Sequence, residues 1–217
     1  MELPALIEAF GQVATASVAD AVDKVCGHRG YVDSAIKPRI NEQRLCGPAA
    51  TVLEVATDEF VPPQHALDLI DEAPRGSVIV IAIEGGEPEV AVWGGLMTAG
   101  AVANGHAGAL LDGGVRDLAE IRRDHGFPVY ARSVSPGTTL GRFKTVASQV
   151  PVRLGGVMVH PGDIVVGDVD GVVIVPRARA AEVLAMAQEI DAREFEQARL
   201  ILAEKSLRKG LAQYGRI

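Results

Sequence analysis

The sequence predicts an α/β domain with a mixed, layered sheet and a long C-terminal helix, and three observations carry that prediction. The run VIVIAI, Val78–Ile83, is apolar at every position, as in a strand covered on both faces. From Val90 to Arg123, strand-like and helix-like segments alternate at short intervals, the pattern of parallel strands joined by helices. Between Val150 and Pro176, short apolar runs are broken by GlyGly, ProGlyAsp and AspGly, which are antiparallel hairpin signals.

Taken in order, ALIEAF from Ala5 reads as a short helix. The next helix takes Thr15 or Ser17 as its N-cap with Asp20 in the first turn, runs through Val18, Val22 and Val25, and stops at Gly27. GPAATVLEV, Gly47–Val55, is a strand entered through a Gly-Pro pair, and a helix covers His65 to Asp71. Val90–Trp93 is a short strand, Gly94–Asn104 a helix ended by Gly105, and Ala107–Asp112 the next strand. A helix starts at Leu118 and a strand follows at Phe127–Arg132. The final helix runs from about Arg177 to Arg208, too long to cover only its own domain, so its second half reaches a neighbouring subunit. No repeat or linker divides the chain, and residues 1–217 read as one domain.

Composition narrows the function. At 217 residues, with 48% hydrophobic and 4% aromatic side chains, the core is built from Ala, Val, Ile, Leu and Gly. A net charge of −7 without a basic run argues against nucleic acid as the principal ligand. No apolar run approaches the ~20 residues of a membrane span, and the N-terminus lacks the pattern of a secretory signal. A cytoplasmic protein with no membrane partner is expected. Cys26 and Cys46 form no CxxC pair and read as reduced and buried.

The glycine pairs invite a nucleotide reading, but neither GxGxxG nor GxxxxGK[ST] occurs. What survives is geometric. Gly94 and Gly95 close a strand and open a helix, leaving the N–H groups of Leu96 and Met97 without intrahelical partners, a place suited to a carboxylate. One strand–helix unit later, LLDGGVRD, Leu110–Asp117, delivers Arg116 and Asp117 to the same sheet end. Arg116 can clamp a carboxylate or stabilise an oxyanion, and Asp117 can hold a divalent cation. Gly113 and Gly114 are expected to turn the chain sharply so that this pair meets the helix start. On spacing alone the blander reading is the stronger: an Arg–Asp ion pair with Asp117 capping the helix at Leu118. His160, Asp163, Asp168 and Asp170 read as turn residues, and His65 and His106 have no ligand-spaced partner. The acids Glu189, Asp191, Glu194 and Glu196 read mostly as a solvated helix face.

The run WGGLMTAGAVANGHAGALLDGGVRD, Trp93–Asp117, closely resembles the family of 4-hydroxy-4-methyl-2-oxoglutarate aldolases, which also contains the regulator of ribonuclease E activity A. The likeness extends to Thr15–Ala21, Gly47–Val52, Gly126–Arg132, HPGD at His160–Asp163 and DGVVIVP at Asp170–Pro176. It implies a layered β/β/α swivelling-type domain, assembled as a homotrimer or a hexamer with active sites between subunits. It implies a class II lyase using Mg or Mn, with Asp117 as the metal ligand. Arg116 would steady a pyruvate enolate, the Gly94–Gly95 turn and the amides of Leu96 and Met97 would bind the substrate carboxylate, and Glu194 would be an acid supplied by the neighbouring subunit. The reactions implied are retro-aldol cleavage of 4-hydroxy-4-methyl-2-oxoglutarate or 4-carboxy-4-hydroxy-2-oxoadipate, and decarboxylation of oxaloacetate. This turns the Arg116–Asp117 pair from ion pair to site. Family members generally carry an acid where this chain has Gly95, so aldol cleavage, which needs a base for the 4-hydroxyl proton, should suffer more than decarboxylation. The alternative within the same kinship is a non-catalytic protein-binding regulator of a ribonuclease.

Overall fold

A computed structural model describes residues 1–212; residues 213–217 lie outside it. The helices are α1 (Leu3–Phe10), α2 (Thr15–Cys26), α3 (Gln64–Glu72), α4 (Gly95–Ala103), α5 (Leu118–Asp124), α6 (Ala180–Glu204) and α7 (Leu207–Ala212). The strands are β1 (Lys37–Pro38), β2 (Leu45–Ala56), β3 (Val78–Ile83), β4 (Ala91–Trp93), β5 (Gly108–Val115), β6 (Val129–Val134), β7 (Phe143–Ser148), β8 (Val152–Leu154), β9 (Val157–Val159), β10 (Ile164–Asp168) and β11 (Gly171–Val175).

A mixed sheet runs β1-β6-β5-β3-β2-β10-β11, with β4 on β5 and β7 on β2. Its middle, β2-β3-β5-β6, is parallel. Its flanks are antiparallel. The sheet curls until its ends nearly meet: the Lys37 ammonium on β1 donates to the Asp170 carbonyl beside β11 at 2.6 Å. This is the α/β architecture with a mixed sheet and a long C-terminal helix that the sequence predicts.

Alternate residues of β3 explain why every position is apolar. Val78, Val80 and Ala82 face the interior of the curled sheet with Leu45, Leu110, Tyr130 and Ile174. Ile79, Ile81 and Ile83 face a second core with Ala66, Leu69 and Ile70 of α3 and Ile121 of α5. A third core joins α1, α2 and α6 to β10 and β11 through Phe10, Val18, Val183 and Ile190. The β8–β9 hairpin turns on Gly155 and Gly156, both at positive φ, and Val152, Leu154, Val157 and Val159 fill the interior.

Several sequence expectations are corrected. Neither Thr15 nor Ser17 is the N-cap of α2; that position is Ala14, whose side chain makes no cap. Asp191 of α6 supplies it instead, accepting the Ala14 N–H at 3.0 Å and the Ser17 hydroxyl. Asp191 is therefore a tie between helices and not part of a solvated face. The final helix begins at Ala180 after a 3₁₀ turn and ends at Lys205, which adopts a left-handed conformation, before α7 folds back on α6. Phe195 and Leu202 of α6 are 71% and 77% exposed, an apolar surface that the described residues leave bare. The ProGlyAsp turn joins β9 to β10, which do not pair. Its Asp163 is a buried structural anchor for the N–H groups of His160 and Arg177, each at 2.9 Å. Strand β7, which has no strong period in the sequence, pairs antiparallel with β2.

Glu54 on β2 is fully buried, and among the described residues neither carboxyl oxygen has a hydrogen-bond partner. Burial pushes this carboxyl from about 4.5 up to about 8. The fold holds the proton that the unfolded chain releases near its ordinary value, so the stability that Glu54 contributes is greatest in acid. It falls as pH rises from about 4.5 to about 8, by at most on the order of 1.4 kcal/mol for each unit of separation. Denaturant titrations at pH 5 and pH 8 should show this fall in the wild type and a flattened profile in Glu54→Gln.

Candidate active site

Strand β4 continues the row of β3 along the same edge of β5, with Ala91 opposite Gly114 and Trp93 opposite Val115. The β4–α4 and β5–α5 connections therefore leave neighbouring parallel strands at their carboxyl ends, where ligands bind in sheets of this kind. Trp93 anchors the first connection. Its indole N–H donates to the Thr98 hydroxyl at 2.8 Å, which in turn donates to the Gly94 carbonyl at 3.0 Å. The Trp93 ring stacks on Phe127 at 6.2 Å.

The expected turn at Gly113 and Gly114 is corrected. Both lie inside β5, at register shifts against β4 and β6. A Cβ on Gly114 would meet the Val90 carbonyl at 3.0 Å and the Ser133 hydroxyl at 2.9 Å. These glycines permit close strand approach and a bulge. The turn falls at Asp117, a non-glycine residue at φ 60° and ψ 32°, the left-handed region where Asp and Asn are among the tolerated side chains.

Asp117 is held in this conformation at the start of α5. It occupies the N-cap position of α5, but its side chain makes no cap there. Its Oδ2 instead accepts the Gly95 N–H at 3.0 Å, across at the start of α4. The Arg116 Nε lies 3.6 Å from the same oxygen, with both side chains partly exposed. Among the described residues, the Arg116 guanidinium makes no hydrogen bond to another protein group. Gly94 makes the juxtaposition possible: a Cβ there would lie 2.7 Å from Asp117 Oδ2 and 3.1 Å from Arg116 Nε. The first helical bond of α4 runs from Thr98 N to the Gly94 carbonyl at 3.0 Å. The N–H groups of Leu96 and Met97 thus precede it, without intrahelical partners.

A cleft of about 280 Å³ brings together Gly94, Gly95, Leu96, Met97, Arg116 and Asp117. Pro62, Pro63, Thr138, Thr139 and Leu140 complete its walls; their loops carry no sequence signal that pointed here. Leu96 is 89% exposed at the mouth. Glu194 is not at this cleft. It lies on α6, which packs against α1, α2 and α7. Glu120, in the first turn of α5, carries no signal in the sequence beyond its place three residues after Asp117; its Oε1 lies 2.5 Å from where a Cβ on Gly95 would sit.

The carboxylate that lines the cleft, Asp117, is an oxygen donor that suits a hard cation such as Mg or Mn. Among the described residues no group of three or more His, Cys, Asp or Glu side chains gathers to hold a metal. A magnesium-type ion held by one or two carboxylates, with water and substrate oxygens completing its shell, fits that donor. Zinc, which wants three or four protein ligands, does not fit it.

A wider cleft, about 770 Å³, opens on the other side of β5 around Asp33, Asp112 and Arg132. Its central charges are paired with one another. Asp112 is buried and pairs with Arg132 while accepting the Gly155 N–H at 2.9 Å, and Arg132 also reaches Asp33 at 2.8 Å. Hydrogen bonds from the Ala35 N–H and from Arg132 hold the Asp33 carboxyl below its ordinary value. This network ties the β8–β9 hairpin to the sheet. Elsewhere, His106 is buried with its Nε2 2.7 Å from the Ile70 carbonyl, and burial pushes the Cys46 thiol up to about 11. Neither is placed for chemistry.

Residues 15–174 match the family model described as RraA-like, Aldolase/RraA. The chain belongs to this family. It is 32% identical over 198 residues to a protein of Halalkalibacterium halodurans named "Putative 4-hydroxy-4-methyl-2-oxoglutarate aldolase", covering 90% of this chain and 88% of that one. It is 33% identical over 183 residues to protein DlpA of Legionella pneumophila, covering 84% of this chain but only 29% of DlpA. Among solved structures it resembles RraAS2 of Streptomyces coelicolor, described as an unusual member of the RNase ES inhibitor RraA protein family. That likeness has a TM-score of 0.81 at 27% identity, over 90% of this chain and 98% of that one. No helix among the described residues is long and apolar enough to cross a membrane.

The close contacts at β5 are open to measurement. Gly114→Ala should cost ~1–3 kcal/mol, because the Val90 carbonyl it would strike is fixed by its own bond to the Gly114 N–H at 2.7 Å. Urea denaturation should show the lowered midpoint.

Proposed function

We propose that this RraA-like protein is a divalent-metal-dependent lyase acting on short 2-oxo dicarboxylates, with its site at the start of α4. The observation that carries this is the meeting of Arg116 and Asp117 with the side-chain-free residues Gly94 and Gly95. A salt bridge that served only to cap α5 would not need Asp117 held in a left-handed turn and bonded across to Gly95.

In this reading the N–H groups of Leu96 and Met97, at the positive end of α4, receive the carboxylate of the 2-oxo acid. The Arg116 guanidinium lies beside them and stabilises negative charge developing on the 2-oxo oxygen. Asp117 holds the cation, and Leu96 marks the open side through which substrate and water enter. A bound Mg or Mn would supply Lewis acidity toward the same oxygen. When the C3–C4 bond of oxaloacetate breaks, carbon dioxide leaves and the bonding electrons pass into the pyruvate enolate. A proton from water at C3 completes pyruvate. Retro-aldol cleavage of a 4-hydroxy-2-oxo dicarboxylate, such as 4-hydroxy-4-methyl-2-oxoglutarate, passes through the same enolate but also removes the 4-hydroxyl proton. The name of the H. halodurans relative supports this substrate class.

The bare apolar face of α6, with Phe195 and Leu202 exposed, supports a homotrimer or hexamer. In such an assembly Glu194 of one subunit would serve a neighbour's cleft.

A second reading, a non-catalytic regulator that binds a ribonuclease, draws on the likeness to RraAS2. Direct titration against a purified RNase E-type ribonuclease would distinguish it, as would the absence of metal-dependent turnover.

The lyase reading predicts pyruvate release from oxaloacetate that depends on added Mg. Arg116→Ala should lower kcat/KM by about 10²–10³, the usual cost of removing one oxyanion donor. Asp117→Asn should abolish the response to Mg, and millimolar oxalate should inhibit as an enolate mimic. Equal rates in wild type and both variants would contradict the assignment.

A further inference from the structure

The position a Cβ would take on Gly95 is already filled. Glu120, in the first turn of α5, places Oε1 2.5 Å and Oε2 3.2 Å from it. Asp117 Oδ2 lies 2.7 Å from the corresponding point on Gly94 and 3.0 Å from the Gly95 nitrogen. Two carboxylates from one turn of α5 therefore converge on adjacent glycines at the start of α4.

The basic residues that follow Glu120 do not neutralise it. Arg123 pairs with Asp124, and Arg122 donates to the carbonyls of Arg39 and Ile40. Among the described residues, Glu120 makes neither an ion pair nor a hydrogen bond. The positive end of α4 favours negative charge beside it, and a cation held there would favour it further.

We propose that Glu120 is the second carboxylate of the metal site, a positioning residue that orients a cation-bound water, and that Gly95 is what admits it. This rests on the lyase reading and deepens it. The proposal couples two positions: any side chain at residue 95 must displace Glu120, and a carboxylate introduced at 95 can take over its task.

Binding of Mn tests this apart from turnover, because free aqueous Mn gives an electron paramagnetic resonance signal that is lost on binding. Full-length wild type, Glu120→Gln, Asp117→Asn and the double variant Glu120→Ala/Gly95→Asp would be titrated with Mn alone. Glu120→Gln should weaken binding by about 10-fold or more, the usual cost of losing a residue that supports a metal ligand. Asp117→Asn should weaken it further, and the double variant should recover affinity toward wild type. Glu120 is exposed, so Glu120→Gln should fold normally, and circular dichroism checks this. Should the double variant not fold, Glu120→Asp against Glu120→Gln decides, with the carboxylate expected to bind more tightly. Wild-type affinity in Glu120→Gln alongside loss in Asp117→Asn would overturn the role of Glu120 and leave the lyase reading intact. If the wild type binds no Mn and its oxaloacetate turnover ignores metal, both fall.

Discussion

At the start of α4 two carboxylates occupy the space that two Cβ atoms would otherwise fill. The contact between Asp117 and the Gly94–Gly95 backbone constrains everything around it. It requires α4 and α5 to begin side by side, which requires β4 and β5 to be parallel neighbours. That in turn requires β4 to sit in the row of β3, against a strand bulged at its glycines. The strain of a left-handed Asp117 is then understandable, since a residue in the usual helical entry conformation would direct its carboxylate toward its own helix. Backbone strain of this sort persists where surrounding structure enforces it, and it clusters at functional sites.

The two faces of β5 have divided the polar work. On the interior face, Asp112 is buried and matched by Arg132 and the Gly155 N–H, so its charge fastens the hairpin that closes the curled sheet. At the carboxyl end, Asp117 and Glu120 remain accessible, and among the described residues only the partly exposed Arg116 pairs with either of them. The charges of the larger cleft are thus tied up with one another, while the smaller one has oxygens and N–H groups left over.

Much of this was legible in the sequence where local pattern and tertiary structure agree. Strand β3 reads correctly because both of its faces are buried, leaving no polar residue to confuse its limits. Gly94 and Gly95 read correctly as a strand-to-helix junction, and Arg116 and Asp117 as neighbours of it. Gly113 and Gly114 misled because a glycine pair ordinarily ends a strand, and the backbone of Val90 that requires them is brought there only by the fold. Ser17 looked like a cap because its true partner, Asp191, is distant in sequence and close only once α6 packs on α2. Glu120 was invisible for the same reason: nothing in its own turn of helix shows that the residue facing it is Gly95. Near-closure of the sheet depends on β1, two residues long, which has no periodicity to read.

The most direct test of the central claim is a crystal structure of the protein grown with Mn and oxalate, with the metal located by its anomalous scattering. The account predicts a manganese peak beside Asp117, with oxalate between it, Arg116 and the N–H groups of Leu96 and Met97. A manganese peak remote from Asp117, or oxalate bound at Arg132 in the wider cleft with the start of α4 empty, would contradict it.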